Sequence, residues 1–248
     1  MKQRLAHFLG QWPALYRLAS RVYWTLQFQH LAELVVGTRA RERRWAARPI
    51  AEGYWENRDL PSKHFLADRI AAFAPVNSIL EVGCASGTNL YLLAGKFPQA
   101  QIVGVDINVE AVNYGNARFA QEGMENVSLR VGKADGLGQF GDRSFDVVFT
   151  NALLIYIGPD KIREVVGGML RLAKRVIVLM ELHRFESKGR PREALGIYQY
   201  GNWTRDYAAL WKQFVKPEQV RVSRIPEVVW PARPWSESGA VIEVVLDK

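Results

Sequence analysis

Two sets of residues in this chain have types and spacing suited to chemistry. The first is Glu81-Val-Gly-Cys-Ala-Ser-Gly87 together with Asp106. Gly83 and Gly87 let the backbone approach a ligand closely. A helix opening at Thr88 would aim unpaired amides at a negative group. Asp106 closes a second apolar segment 25 residues after Glu81, where a carboxylate can accept hydrogen bonds from both hydroxyls of a ribose. The second set is Asn151, Tyr156, Glu181 and His183, at or just beyond the ends of two later apolar segments, with Tyr198, Tyr200 and Arg205 following. A hydroxyl or ammonium nucleophile must lose a proton, and Tyr156, Glu181 and His183 are the candidates to face such an acceptor.

These groups need a scaffold that brings strand ends together. Ile79, Leu80 and Val82 suit a short buried strand, and Gly83–Gly87 turns the chain into a helix from Thr88. Residues 101–106, 127–131, 144–150 and 175–183 read as further strands, with helices between them. Asn108 is an N-cap for the helix that begins at Val109. Residues 185–202 are polar and turn-rich and are expected to cover the site. Residues 203–214 read as a helix, and residues 220–222, 227–230 and 240–245 as closing antiparallel strands. The class is α/β, with ligands at the carboxyl ends of a mostly parallel sheet.

The spacing Glu-x-Gly-x-Ala-x-Gly departs from the Gly-x-Gly-x-x-Gly of dinucleotide enzymes. It resembles motif I of the class I S-adenosylmethionine-dependent methyltransferases, with Ala85 in place of the middle glycine. Phe145-Asp146-Val-Val is similar to the family's fourth strand, and the resemblance extends over about residues 54–246. It implies a Rossmann-like seven-stranded methyltransferase sheet with an antiparallel last strand, and S-adenosylmethionine as cofactor. It also implies cofactor contacts from Glu81, Gly83, Ala85, Gly87, Asp106, Ile107 and Asn151. Tyr54-Trp-Glu-Asn-Arg58 resembles an element whose arginine reaches the cofactor's methionine end, although Arg58 also reads as a surface ion pair. Relatives place an aspartate directly after the glycine that follows the third strand. Here that position is Lys133, which cannot accept a hydrogen bond, so Asp135 with Ala134, or a backbone carbonyl, must meet the adenine.

Enzymes that methylate base or glutamine amines often carry Asn/Asp-Pro-Pro-Tyr where this chain has Asn151-Ala-Leu-Leu154, which argues against a nucleic acid partner. Leu154–Ile157, Glu181 and Thr204–Tyr207 look like methylases found with bacterial surface-sugar pathways of the pseudaminic acid type. Those show histidine at the place of Tyr156 and tyrosine at that of Leu182. The expected activity is therefore methyl transfer by in-line displacement to an oxygen or nitrogen of a small-molecule, sugar or lipid-linked acceptor. A catalytically silent binding protein and an RNA methyltransferase are the alternatives. The residues leave the acceptor and the oligomeric state open.

The 248 residues carry a net charge of +8, and residues 1–50 hold nine Lys/Arg against Glu33 and Glu42, a net of +7. Leu5, Phe8, Leu9 and Trp12, then Leu15, Leu18, Ala19, Val22 and Leu26, form apolar stripes at helical spacing. The division expected is a basic amphipathic helical extension over 1–50 and a catalytic domain over 51–248. The extension could cap that domain, contact a partner, or lie through residues 1–48 on an anionic membrane surface. Cys84 is the single cysteine, which rules out an internal disulfide and a cysteine-based metal cluster. No secretory leader or spanning helix is read, so the expected place is cytoplasmic, including the inner face of the membrane.

Overall fold

The computed structural model describes residues 37–199 and 201–246, so the apolar stripes of residues 5–26 lie outside the described residues. The chain opens with α1 (Thr38–Ala46), α2 (Ala51–Glu56) and α3 (Pro61–Ala71). It continues through β1 (Ser78–Val82), α4 (Thr88–Lys96), β2 (Gln101–Asp106), α5 (Val109–Gln121) and β3 (Val127–Val131). Next come β4 (Phe145–Asn151), a 3-10 turn at Leu154–Tyr156, α6 (Ile162–Leu172) and β5 (Ala173–Leu182). The last part holds α7 (Pro191–Leu195), β6 (Ile197–Gln199), β7 (Asn202–Thr204), α8 (Tyr207–Trp211), β8 (Val220–Arg224), α9 (Trp235–Ser238) and β9 (Gly239–Val245).

Seven strands form one sheet in the order β3-β2-β1-β4-β5-β9-β8, while β6 and β7 pair separately. The first five run parallel, and β9 lies antiparallel between β5 and β8. All five residues of β1 are buried, as a strand covered on both faces requires. On one face Leu66, Ile70, Leu90, Leu93, Val112 and Phe119 bring α3, α4 and α5 onto the sheet. On the other, Ile162, Val165, Val166 and Met169 of α6 pack with Leu210 and Trp211 of α8. Strand order reverses between β1 and β4, and a crevice opens there at the carboxyl ends of the strands.

Two expectations are corrected. Residues 227–230 are not a strand: the amides of Val229 and Trp230 both donate to Pro226 O, and Val228 is 84% exposed. Pro226 and Pro231, which cannot donate to a ladder, flank this run. Residues 203–214 are helical only over α8. Trp203 and Thr204 pair with β6 instead, and Asp206 starts the helix by accepting from Ala209 N at 2.9 Å. Among the described residues no helix is long and apolar enough to cross a membrane.

Candidate active site

The loop after β1 takes its shape from its own residues. Gly83 and Gly87 have φ of +79° and +81°, and Ala85 between them has φ of +48°. A Cβ on Gly83 would lie 2.7 Å from Leu153, and one on Gly87 would lie 2.8 Å from Phe119, so both positions exclude larger residues. The amides of Gly83 and Cys84 donate to Val105 O at 2.7 and 3.2 Å, folding the loop back on β2. Asp106 holds the left-handed alanine by accepting from Ala85 N at 2.8 Å, and its other oxygen accepts from Asn108 N at 2.8 Å. Burial raises the Asp106 pKa, and these backbone bonds offset part of that rise. Each carboxylate oxygen keeps acceptor capacity for a ligand hydroxyl.

A cavity of about 490 Å³ opens above this loop. Gly83, Ala85, Asp106 and Ile107 line it on the β1–β2 side, and Ala134, Asp135 and Asn151 line it further along. Glu81 and Gly87 lie outside the lining. Glu81 is buried under the loop, where its Oε1 accepts from Asn89 Nδ2 at 2.5 Å and its Oε2 has no partner. Lys63 Nζ donates to Thr88 Oγ1 at 2.5 Å nearby. Burial pushes the Glu81 carboxyl up and the Lys63 ammonium down, and each opposes the shift of the other. Asn151 Nδ2 donates to Asn89 Oδ1 at 3.3 Å, and Asn151 Oδ1 is buried without a partner. Arg58 is corrected: it stands outside the cavity, over the rings of Tyr91 and Trp55 at 5.5 and 5.7 Å.

The opposite wall is the segment from Ala152 to Ile157. Glu181 is 0% exposed and gathers the donors of this segment. Its Oε1 accepts from Thr150 Oγ1 at 2.8 Å and from the amides of Leu153 and Leu154 at 3.0 Å, and its Oε2 accepts from Ile155 N at 3.2 Å. Burial raises its pKa to about 7 against the pull of these bonds. Arg205, also fully buried, takes the carbonyls: Leu154 O at 2.6 Å, Leu195 O at 3.0 Å, and Ile157 O. One carboxylate and one guanidinium thus satisfy three amides and two carbonyls of the wall's backbone.

The expectation that Glu181 and His183 face an acceptor is therefore corrected, because neither lines the cavity. His183 is held by its Nδ1, which accepts from Tyr207 N at 3.2 Å, and by an edge contact with Phe185. Burial lowers its pKa to about 4, so it is neutral at pH 7. Tyr156 does line the cavity, with its ring 4.7 Å from that of Trp45. Burial lifts its pKa to about 12, so its hydroxyl stays protonated at pH 7.

The third side is α1, whose inward face the sequence reading did not single out. Thr38, Arg41, Glu42 and Trp45 share one helical face and all line the cavity. Their spacing was the available signal, obscured by exposed Arg39, Arg43 and Arg44 on the other face. Thr38 Oγ1 donates to Asp160 Oδ1 at 2.6 Å and accepts from Gly158 N at 2.9 Å. Glu42 accepts from Lys161 at 2.6 Å and from Lys133 at 3.1 Å, while Lys161 also pairs with Asp135. Asn108 Nδ2 donates to the carbonyls of Trp45 and Arg48, both at 2.8 Å. Stacked Trp230 and Trp235 complete the rim, with ring centroids 3.9 Å apart. Among the described residues no group of three His, Cys, Asp or Glu could hold a metal ion.

A family model described as a methyltransferase domain matches residues 79–175. The chain is 31% identical over 94 residues to an arsenite methyltransferase of Halobacterium salinarum, covering 38% of this chain and 24% of that protein. It is 29% identical over 105 residues to a trans-aconitate 2-methyltransferase of Methylobacterium radiotolerans, covering 42% of this chain and 36% of that one. The chain thus spans well under half the length of these curated relatives. A solved structure of phosphoethanolamine N-methyltransferase 1 from Haemonchus contortus, in complex with phosphoethanolamine and S-adenosylhomocysteine, shares the fold. Its TM-score is 0.56 at 19% identity, covering 85% of this chain and 49% of that one.

Proposed function

We propose that this chain, which belongs to the class I S-adenosylmethionine-dependent methyltransferases, transfers a methyl group to an oxygen or nitrogen nucleophile of a small-molecule, sugar or lipid-linked acceptor. The observation that carries this reading is the joining of the Gly83–Gly87 loop, Asp106 and Asn151 around one cavity whose far wall is separately built. The residues fit the cofactor. Asp106 has acceptor capacity for two ribose hydroxyls, and the partnerless acceptor Asn151 Oδ1 on the cavity lining suits an ammonium group. S-adenosylmethionine supplies an electrophilic methyl group on a sulfonium sulfur, which an acceptor lone pair displaces in line.

The protein's part is alignment and exclusion of water. The wall fixed by Glu181 and Arg205 and the face of α1 limit where an acceptor can lie. Tyr156 orients it by donating a hydrogen bond. Where the acceptor is lipid-linked, the same reading brings basic residues 1–48 against an anionic membrane surface.

Calorimetry tests the cofactor part. The full chain should bind S-adenosylhomocysteine and ignore NAD. Asp106→Ala should weaken binding roughly ten- to a hundredfold, as hydrogen bonds to a charged group are worth about 1.5–3 kcal/mol. Unchanged affinity in the variant would remove Asp106 from the ribose role.

A further inference from the structure

We propose that Arg41 reads the methyl acceptor by pairing its guanidinium with an oxyanion, a carboxylate or phosphate ester, that the acceptor carries. The inference rests on the methyltransferase reading of the cavity and narrows its substrate class. Arg41 is only 8% exposed, yet it lines the cavity beside Tyr156. Its hydrogen-bond partners among the described residues are neutral. Nη1 donates to Ile155 O at 3.5 Å, and Nη2 donates to Gly201 O at 2.9 Å and to the Tyr198 hydroxyl. Nε is buried and has no partner.

The other cations on the lining are compensated. Lys133 and Lys161 share Glu42 and Asp135, and Lys63 lies within the field of Glu81. Among the described residues Arg41 has no carboxylate in ion-pair contact. A second buried guanidinium makes the imbalance larger. Arg205 grips the same turn from behind, where Glu181 favours its charge and Arg41 opposes it. Arg205 thus lies in the field of Glu181, which is already committed to the wall, while Arg41 adds a second buried positive charge beside it.

A buried charge is costly unless it is paired, and a planar guanidinium matches the two oxygens of a carboxylate or phosphate. The Arg41 ring contacts, 4.7 Å to Tyr198 and 6.0 Å to Tyr156, and the Thr38 clamp fix the fork before any ligand arrives. An oxyanion in this part of the cavity would meet a preorganised cation and the Tyr156 hydroxyl.

The test uses the full chain saturated with S-adenosylhomocysteine, titrated with sodium phosphate and with sodium acetate against sodium chloride at equal ionic strength. Calorimetry and melting temperature are the readouts. Saturable binding and stabilisation beyond chloride are expected for phosphate, acetate or both, which also separates the two oxyanion types. Arg41→Lys, which keeps the charge without the fork, and Arg41→Gln should each weaken that anion at least tenfold while still binding S-adenosylhomocysteine. Wild-type protein indifferent to both anions would overturn the proposal without any variant. So would an equal response in a folded variant, which would leave Arg41 as a staple between α1 and the β6–β7 hairpin. A chain that fails to bind S-adenosylhomocysteine would instead count against the methyltransferase reading, and the anion titration of the free chain would still decide the role of Arg41.

Discussion

The two sides of the cavity are built in opposite ways. On one side, the loop after β1 is shaped by glycines within five consecutive residues and by Asp106, whose bond to Ala85 spans 21 positions. On the other, the wall is assembled from distant pieces. Thr38 reaches Asp160 across 122 positions, Arg41 reaches Tyr198 across 157, and Arg205 reaches Leu154 across 51. The first side holds backbone in conformations that suit a cofactor common to a whole superfamily. The second holds a short turn between a buried anion and a buried cation. Under the proposed function, varying the segments brought to that turn would alter the acceptor side without touching the cofactor loop, as when function is grafted onto a shared scaffold.

The largest effect on the wall is expected at Glu181. Glu181→Ala would strand three backbone amides and the Thr150 hydroxyl, and it would remove a negative charge that favours the buried Arg205 guanidinium. Removing one member of such a buried set costs about 3–5 kcal/mol. Urea unfolding should show a loss of that order. A loss below about 1 kcal/mol would mean that the wall holds itself without the carboxylate.

A smaller effect separates the two sides by pH. The Glu181 carboxyl titrates near 7 in the folded protein against an ordinary value of 4.5, so the fold binds its proton more tightly than the unfolded chain does. Its contribution to stability is therefore complete below about pH 4.5 and is lost as pH rises through 7. The contribution is of order 3–4 kcal/mol, given about 1.4 kcal/mol per pKa unit. His183 acts in the other direction. With its pKa lowered from 6.5 to about 4, its contribution is present above 6.5 and is lost as pH falls through 4. Denaturation of wild type and Glu181→Gln from pH 4.5 to 7.5 isolates the first group. The wild type should lose stability relative to the variant as pH rises, and parallel curves would show that the carboxyl is not held in the way described.

This difference in construction also explains what could be read from the chain. Glu81–Gly87, Asp106 and the five parallel strands are patterns of neighbouring residues, and periodicity with glycine spacing reports such patterns directly. Glu181 and His183 stand at a strand end, a position that usually faces the ligand. Only three-dimensional packing reveals that both side chains turn behind the wall. Arg58 sits in a recognisable aromatic–arginine element but spends its charge on Tyr91 and Trp55. Val228 and Val229 read as strand, although Pro226 and Pro231 carried the contrary signal. The inward face of α1 was hidden because Thr38, Arg41, Glu42 and Trp45 are mostly polar, and helices are usually oriented from apolar stripes.

Turnover decides whether the cavity carries out methyl transfer. Full-length protein is incubated with methyl-labelled S-adenosylmethionine and with fractions of a cell extract separated into anionic small molecules, sugars and lipid-linked material. S-adenosylhomocysteine formation and label in the fraction are then read together. Stoichiometric methyl transfer is expected in at least one fraction, with Asp106→Ala slower at subsaturating cofactor. Tight binding of S-adenosylhomocysteine with no label transferred to any fraction would contradict methyl transfer and leave a methyltransferase-like protein that binds without reacting.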